Sequence, residues 1–327
     1  MTPYPLRFTP VLKQTIWGGR RLGSKLNKSL GPESDYAESW EIVDHGDEQS
    51  VIENGSLKGK TLRQSILLEK SSILGESYQS DAFPLLLKYL DCNRDLSVQV
   101  HPDDDYAKQM QPPDLGKTES WYIVESDPGS LVYAGLKDGV TRKDLTEAVA
   151  AGETETMLHA FHPTAGDILF IPAGTVHALG AGLLVAEIQQ SSDTTFRLFD
   201  WNRVGGDGKG RPLHIQQSLD VTDFQRGPIA AKRAQPNLPR WQEVVHSDKF
   251  TLQVLNSGSG QIGGDNRFHI LTVPKGFAIL QTEEEEYTLT TGQSLLLPAA
   301  MPTCTIEAGH DSVVLGMHEP VNPKVAN

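Results

Sequence analysis

Gly166-Asp-Ile-Leu-Phe-Ile-Pro-Ala173 recurs later in the chain as Gly292-Gln-Ser-Leu-Leu-Leu-Pro-Ala299. Each copy contains a turn glycine, an apolar run of strand length and a proline that ends the strand. The first copy continues to His177, whereas the equivalent position after the second copy is Thr303. A strand-and-turn unit that occurs twice predicts two similar β structures within one chain.

Short β-rich runs surround both copies, separated by many of the 30 glycines and 20 prolines in the 327 residues. This spacing predicts a sandwich or barrel. We predict strands in the first part at residues 40–43, 84–90, 96–100, 121–124, 130–133, 168–171, 183–188 and 195–199. Later strands are predicted at residues 244–255, 268–273, 277–281, 286–289, 294–297 and 312–317. Helical patterns are few: they occur at 61–70, 141–151 and 213–219, and Asp103–Asp105 is expected to cap a further short helix, so the predicted class is mainly β with a few short helices.

The repeat is similar to the second sequence motif of cupins, which are small jelly-roll β-barrels. A segment rich in proline, alanine and basic residues, 226–240, separates the two copies. The resemblance implies a catalytic, metal-binding cupin domain with helical additions at 1–225 and a second cupin-like domain at 241–327. Because Thr303 stands where the first copy has His177, we expect the second domain to be metal-free.

The chain is acidic, with 29 Lys and Arg against 42 Asp and Glu and a net charge of −13. This charge argues against binding to nucleic acid or anionic membranes, and an anionic substrate would need a local positive pocket. The sequence contains no apolar run long enough for a transmembrane helix, and its start lacks the apolar core of a secretory signal. Cys92 and Cys304 alone form neither a disulfide framework nor a cysteine zinc site, so we expect a cytoplasmic protein.

Gln99 and His101 lie two residues apart in a predicted strand, so both side chains face the same side of the sheet. They could be metal ligands or a hydrogen-bonded interior pair. Glu119 precedes another strand and could be a solvated strand edge, and His177 follows a turn and could be a satisfied turn residue. Together the four form a mixed nitrogen and oxygen set that zinc accepts while leaving room for water or substrate.

Arg197 lies in a predicted strand whose alternation places it on the face opposite Phe196 and Leu198. An arginine that faces a barrel interior needs an anionic partner, because a buried lone charge is unfavourable. A substrate phosphate or enediolate would supply that partner, since the guanidinium matches phosphate geometry. A salt bridge to Glu187 is the alternative.

Several motifs together resemble the type I phosphomannose isomerases, specifically their short bacterial form. The resembling stretches are Ile16-Trp-Gly-Gly, Glu38-Ser-Trp-Glu, Pro84-Leu-Leu-Leu-Lys-Tyr-Leu-Asp, Leu96-Ser-Val-Gln-Val-His-Pro-Asp-Asp, Gly116-Lys-Thr-Glu-Ser-Trp-Tyr, Ile171-Pro-Ala-Gly-Thr-Val-His-Ala and Glu187-Ile-Gln-Gln-Ser-Ser-Asp-Thr-Thr-Phe-Arg. They occur in family order up to about residue 203, whereas the last third of the chain resembles the family only loosely.

The resemblance implies a zinc-dependent aldose–ketose isomerase that interconverts mannose 6-phosphate and fructose 6-phosphate through a cis-enediol. One Zn²⁺ per chain would be bound by Gln99, His101, Glu119 and His177. The family's active-site residues fall on Arg197, Lys117 and Glu187, and its pocket-lining residues fall on Lys88 and Ser97. The proton-transfer base stays open among Glu187, Lys117, His101 and a metal-bound water, with His101 the least favoured.

The implied partner is a phosphorylated hexose, and we expect a monomer or a weak homo-oligomer. The alternative from another functional class is a non-catalytic cupin that binds sugar phosphates as a sensor or degenerate paralogue. An iron-dependent cupin dioxygenase is less favoured, because such sites are usually richer in histidine.

Overall fold

The computed structural model describes residues 2–76, 78–204 and 208–320. The early strands are β1 (Phe8–Thr9), β2 (Val11–Gly19), β3 (Tyr36–Ile42), β4 (Asp44–His45), β5 (Glu48–Gln49), β6 (Val51–Ile52), β7 (Leu85–Cys92) and β8 (Val98–Val100). They are followed by β9 (Glu119–Ser126), β10 (Val132–Leu136), β11 (Leu158–Phe161), β12 (Asp167–Ile171), β13 (His177–Leu179), β14 (Leu183–Gln190), β15 (Phe196–Phe199) and β16 (Lys232–Arg233). The last strands are β17 (Gln242–His246), β18 (Thr251–Ile262), β19 (His269–Lys275), β20 (Phe277–Gln281), β21 (Glu286–Thr290), β22 (Ser294–Leu297) and β23 (Cys304–His318).

The helices of the described residues are short: α1 (Arg21–Leu26), α2 (Leu62–Leu74), α3 (Asp104–Ala107), α4 (Arg142–Ala151) and α5 (Ile215–Val221). Helix α4 begins at a capping box, in which Thr141 and Asp144 satisfy each other's backbone N–H groups, and it ends at Gly152 in the left-handed region. No helix in the described ranges combines the length and apolar character needed to cross a membrane. The mainly β class predicted from the sequence is confirmed.

Two large sheets dominate the first part of the fold, and β1 with β6 and β4 with β5 form two further two-stranded sheets. The larger has the strand order β16-β12-β9-β14-β7-β3-β2, and the smaller has the order β11-β10-β13-β8-β15. One apolar cluster contains residues of both sheets, among them Trp121 and Val185 of the larger sheet and Val132 and Leu179 of the smaller. The two sheets therefore pack face to face, and the residues between them are enclosed on both sides.

Strands β17–β23 form another seven-stranded sheet, in which β18 and β23 pair along most of their length. Its interior is filled by apolar side chains such as Leu271, Leu280 and Leu297. A further cluster joins the outer face of the larger first sheet, including Leu87 and Ile188, to residues of this last sheet. The larger sheet is thus buried on both faces, which explains the unbroken burial of β7 and β14.

Several strand boundaries in the structure differ from those predicted from the sequence. The predicted strand at 244–255 is wrong as a single element, because residues 247–250 turn and divide it into β17 and β18. The turn is held by Ser247, whose N–H and hydroxyl both donate to the Phe250 carbonyl oxygen. Strands β2 and β11 had not been predicted, and the predicted strand at 312–317 is the end of the longer β23.

The division of the chain at 226–240 stays a prediction. Strand β16 lies inside that segment and pairs with β12 of the larger sheet, so part of it belongs to the first β structure. At the other end of the chain, Leu6 forms an isolated bridge with Leu296 of β22. Residues 321–327, which the predicted second domain includes, lie outside the described residues.

Candidate metal and substrate site

A cavity of ≈ 340 Å³ opens at the edge of the space between the first two sheets. Its walls come from β2, β3, β7, β9 and β14 of the larger sheet and from β8, β13 and β15 of the smaller, so both sheets contribute to it. Polar and charged side chains dominate the lining, in contrast to the apolar packing elsewhere between these sheets. The lining includes Glu38, Lys88, Ser97, Gln99, Lys117, Glu187, Arg197 and Arg211.

Three metal-ligand side chains meet beside this cavity. His101 follows β8, Glu119 begins β9, and His177 begins β13, and all three are buried. Glu119 Oε2 lies 3.4 Å from His101 Nε2, and Glu119 Oε1 lies 3.3 Å from His177 Nε2. The potential ligand atoms all lie within 4.8 Å of one another. Residues far apart in sequence therefore present three ligand atoms to one centre.

Backbone carbonyls fix the orientation of both imidazole rings. His101 Nδ1 lies 3.0 Å from the carbonyl oxygen of Thr194, and His177 Nδ1 lies 2.8 Å from that of Thr175. Donation from Nδ1–H leaves the Nε2 lone pairs directed at Glu119, the arrangement found for metal-binding histidines. Burial lowers the pKa of both rings, which keeps them in the neutral form that binds metal.

The donor set fits a divalent cation. His101 Nε2 and both carboxylate oxygens of Glu119 are buried without a hydrogen-bond partner among the described residues. Buried polar atoms in proteins nearly always have a partner, so three unpaired atoms around one point indicate a place for an ion. Two histidines and one carboxylate are a zinc ligand set that leaves a position open for water or substrate.

Gln99 lies next to this cluster and pairs in register with His177 across β8 and β13. Its Nε2 lies 3.3 Å from His177 Nε2. Rotation of the amide by half a turn would direct its oxygen to the same point, where it could be a fourth ligand. The structure thus brings together all four residues that the sequence predicted as metal ligands.

Beyond the metal ligands, the cavity lining includes two lysines and the three carboxylates Glu38, Glu187 and Asp193. Lys117 Nζ lies 3.8 Å from Glu119 Oε2, and Lys88 Nζ lies 3.3 Å from Glu38 Oε2 and 3.9 Å from Glu187 Oε2. Glu187 accepts a hydrogen bond of 3.0 Å from Trp121 Nε1. Burial, together with the negative charge of Glu119, raises the pKa of Glu187 to about 7.

Arg197 reaches the cavity from the smaller sheet. Its neighbours Phe196 and Leu198 are buried on the opposite face of β15, as the strand alternation predicts. Its Nη1 donates to the Pro212 carbonyl oxygen at 2.9 Å, and its Nε is buried without a hydrogen-bond partner in the described ranges. The alternative of a salt bridge to Glu187 is wrong, since no ion pair of Arg197 occurs within the described parts of the chain.

Sequence reasoning gave no role to Glu38, Trp40 or Arg211. Glu38 and Trp40 both contact Lys88: the carboxylate pairs with it, and the Trp40 ring lies 4.5 Å from its ammonium. Arg211 lines the cavity beside Arg197 while its guanidinium binds Asp200. Alternation in the Glu38-Ser-Trp-Glu stretch could have indicated the first two. Arg211 follows a glycine-rich segment whose sequence carries no such signal.

Comparisons with known proteins agree on one family. Residues 6–134 match the family description "Phosphomannose isomerase type I, catalytic domain", and residues 242–315 match "Mannose-6-phosphate isomerase, cupin domain". The chain is 34% identical to the mannose-6-phosphate isomerase ManA of Bacillus subtilis, over 96% of this chain and 99% of that protein. It is 36% identical to the mannose-6-phosphate isomerase of Streptococcus mutans, over 90% of this chain and 92% of that protein.

Solved structures show the same fold. The mannose 6-phosphate isomerase of Bacillus subtilis superposes with a TM-score of 0.83 at 31% identity, covering 96% of this chain and 99% of that chain. A mannose 6-phosphate isomerase bound with zinc and yttrium superposes with a TM-score of 0.74, covering 97% of this chain and 100% of that one. At 15% identity, the second likeness concerns the fold alone.

Proposed function

The chain belongs to the type I phosphomannose isomerase family, and from this we propose that it interconverts mannose 6-phosphate and fructose 6-phosphate. One observation carries the proposal: a buried His101–Glu119–His177 cluster with unpaired ligand atoms adjoins a cavity lined by cations. An aldose–ketose isomerisation needs an electrophile at the reacting oxygens, a group that moves a proton between C2 and C1, and a cation for the phosphate. The cavity contains candidates for each of these roles.

We assign the metal site to His101, Glu119 and His177, with Gln99 as a fourth ligand, and infer one zinc ion per chain. The donor set of two histidines and one carboxylate supports zinc. When bound, such an ion polarises the carbonyl and hydroxyl oxygens of the substrate. Thr303 stands where the first copy of the repeat has His177, and apolar side chains fill the interior of the last sheet, which supports a metal-free second domain.

Glu187 is our candidate for the group that moves the substrate proton. It is buried in the cavity wall, and the hydrogen bond from Trp121 holds one of its oxygens in place. A pKa near 7 suits a carboxylate that accepts the C2 proton and returns it to C1. His101 is a poor candidate, because its two ring nitrogens face Thr194 and Glu119.

The cations are assigned to the negative charges of the substrate. Lys88 and Lys117 adjoin Glu187 and Glu119 respectively, where they would neutralise charge that develops on the enediolate. Arg197 forms no ion pair with a carboxylate of the described residues and lines the cavity with Ser97, so it is available to bind the phosphate or the enediolate. A protein with a net charge of −13 needs such a local concentration of cations to attract an anionic substrate.

We also infer a cytoplasmic location and a monomer or weak homo-oligomer. Both cysteines are buried and unpaired, which suits a reducing compartment. Neither inference affects the chemistry of the site.

The proposed function is tested by incubating the purified protein with mannose 6-phosphate and measuring fructose 6-phosphate in a coupled assay. Unphosphorylated mannose is the control substrate. We expect turnover of the phosphorylated sugar and at least a hundredfold lower kcat/KM for mannose. Thermal stabilisation by mannose 6-phosphate without product, in zinc-loaded folded protein, would contradict the proposal and favour the sugar-phosphate-binding alternative.

A further inference from the structure

An ion pair links the last sheet to the loops around the candidate site. Lys249 lies in the turn between β17 and β18, and its Nζ is 2.9 Å from Oδ2 of Asp104 in α3. Asp104 follows the metal-ligand residue His101 closely in the chain. Lys249 also pairs with the exposed carboxylate of Asp248 at 2.7 Å. The two partners of Lys249 differ, because only Asp104 belongs to the first β structure.

The other oxygen of Asp104 binds the segment that leads into the site. Asp104 Oδ1 accepts a hydrogen bond from Gly116 N at 2.8 Å and another from Gln190 Nε2 at 3.0 Å. Gln190 Oε1 in turn accepts from Thr118 N at 3.1 Å. The intervening Lys117 N donates to the Pro102 carbonyl oxygen at 3.0 Å. The backbone N–H groups of Gly116, Lys117 and Thr118, just before Glu119, are therefore all hydrogen-bonded. Asp104 accepts the first, and its partner Gln190 accepts the third.

Close packing adds to these hydrogen bonds. A Cβ on Gly116 would lie 2.5 Å from Asp104 N and 2.6 Å from the carbonyl carbon of Asp103, so the segment touches the backbone of α3 directly. The hydrogen bonds from Lys249, Gly116 and Gln190 lower the pKa of Asp104, which keeps its carboxylate charged at neutral pH. A charged acceptor forms stronger hydrogen bonds to these donors than a neutral one would.

We propose that Asp104 is a positioning residue through which Lys249 of the last sheet holds residues 116–119, and with them Lys117 and Glu119, in their working geometry. The inference rests on the proposed function, because it concerns the same metal and substrate site. Asp104 reaches neither the ligand cluster nor the cavity and acts through the backbone. The last sheet thereby contributes to catalysis.

The test uses the full-length protein and four variants. Lys249→Gln removes the cation, and Asp104→Asn removes the charge while its amide oxygen can still accept from Gly116. Asp104→Ala removes both the ion pair and the acceptor. Asp248→Asn is the matched control, because it removes the other partner of Lys249 without touching residues 116–119.

Three quantities are measured: the zinc dissociation constant by competition with a chromophoric chelator, kcat and KM for mannose 6-phosphate at saturating zinc, and the thermal midpoint of the zinc-free protein. We expect Asp248→Asn to match the wild type in zinc affinity and kcat. Lys249→Gln and Asp104→Asn should each weaken zinc binding about threefold and lower kcat similarly, since both residues of the ion pair are partly exposed. Asp104→Ala should weaken zinc binding about tenfold or more.

A purely structural role would lower the thermal midpoint and leave zinc affinity and kcat unchanged. That result, or a Lys249→Gln variant indistinguishable from Asp248→Asn in both quantities, would overturn the proposal. Zinc affinity is measured without substrate, so the positioning role is tested even if the wild type does not isomerise the sugar. If Asp104→Ala fails to fold, Lys249→Gln and Asp104→Asn decide the outcome.

Discussion

Arg197 differs from the other cations of the cavity because no described carboxylate forms an ion pair with it. We predict that Arg197→Ala lowers kcat/KM for mannose 6-phosphate by about 10²–10³-fold, the range typical of removing one preorganised group that stabilises developing charge. Arg197→Lys should recover only part of the loss, since a point charge does not reproduce the guanidinium fork. Steady-state kinetics measure the effect, with circular dichroism as the check on folding. Unchanged kcat/KM in folded Arg197→Ala would remove Arg197 from the site.

His318 gives the last sheet a specific sensitivity to acid. Burial, with Arg267 and His269 nearby, lowers its pKa from 6.5 to about 4, and Arg267 Nη1 lies 3.0 Å from its Nδ1. Between these values the unfolded chain binds a proton that the folded protein excludes, so folding stability falls as the pH drops from 6.5 to 4. Above 6.5 this stabilisation is fully present.

As the pH falls from 6.5 to 4, we expect the unfolding free energy of the wild type to decrease. We predict that the decrease is about 2 kcal/mol smaller in His318→Gln. Urea denaturation at several pH values measures the difference. The wild type, measured in the same series, is the reference. Curves for His318→Gln and the wild type that run parallel would mean that His318 does not titrate as described.

The sequence could indicate site residues whose side chains have few chemical roles. The residue types and strand positions of His101 and His177 indicated metal ligands, and the structure brings both close to Glu119. The missing information was three-dimensional. Alternation places Glu38 and Trp40 on one face of a strand, but it does not reveal that this face meets Lys88, and no pattern indicates that Arg211 enters the cavity. Those contacts depend on which strands become neighbours, and strand order is set by long-range packing.

At the scale of elements, the repeated glycine–strand–proline unit occurs in two different environments. Gly166 and Gly292 both have φ in the left-handed region, at +90° and +86°. A Cβ at Gly166 would meet nothing within 4 Å, whereas one at Gly292 would overlap the carbonyl of Leu26, whose carbon would lie 2.8 Å away. A side chain at either position would have an unfavourable left-handed backbone conformation. Only at Gly292 would it also collide with the end of α1.

We predict that Gly166→Ala lowers the unfolding free energy by about 1–2 kcal/mol, the cost of a left-handed non-glycine residue. Gly292→Ala should lose about 2 kcal/mol more, because the backbone after α1 must shift to make room. Urea denaturation of the two variants measures the difference directly. Equal losses would show that the collision is relieved at no cost, contrary to the packing described.

Strands with clear β patterns between Gly and Pro turns were predicted within a few residues, as for β7, β14 and β20. Strand β2 was missed because its Lys, Gln and Thr positions give a weak apolar signal, and its pairing with β3 supplies the stability that its sequence lacks. The turn at 247–250 was missed for the opposite reason. Strand formers such as Val245 and Leu252 lie on both sides of it, although Ser247 and Asp248 are typical turn residues and Ser247 makes the hydrogen bonds that hold the turn.

For the whole molecule, a buried polar network joins the two β structures. Lys28 Nζ lies 2.6 Å from Glu41 Oε2 and donates to the Gly292 carbonyl oxygen, and both charged side chains are almost fully buried. Ser39 and Ser294 also donate to Glu41, from the first and last sheets respectively. The repeated strand-and-turn unit predicts two β structures. Nothing in the sequence indicates that a buried ion pair lies between them.

We predict that Lys28→Met lowers the unfolding free energy by about 3–5 kcal/mol, because the Glu41 charge stays buried without its cation. The double variant Lys28→Met/Glu41→Gln should be more stable than Lys28→Met alone, since it removes that uncompensated charge. Urea denaturation of the single and double variants measures both effects. A double variant no more stable than Lys28→Met would show that Glu41 is not left as an isolated buried charge.

The central claim is that isomerisation depends on a metal ion held by Gln99, His101, Glu119 and His177. The most direct test follows conversion of mannose 6-phosphate to fructose 6-phosphate in protein as isolated, after removal of metal by a chelator, and after return of one equivalent of zinc. Metal analysis accompanies each state, and His177→Ala is carried through the same cycle. We predict that activity disappears with the metal and returns with zinc, but not in His177→Ala. Full turnover by protein shown to be metal-free would contradict the account.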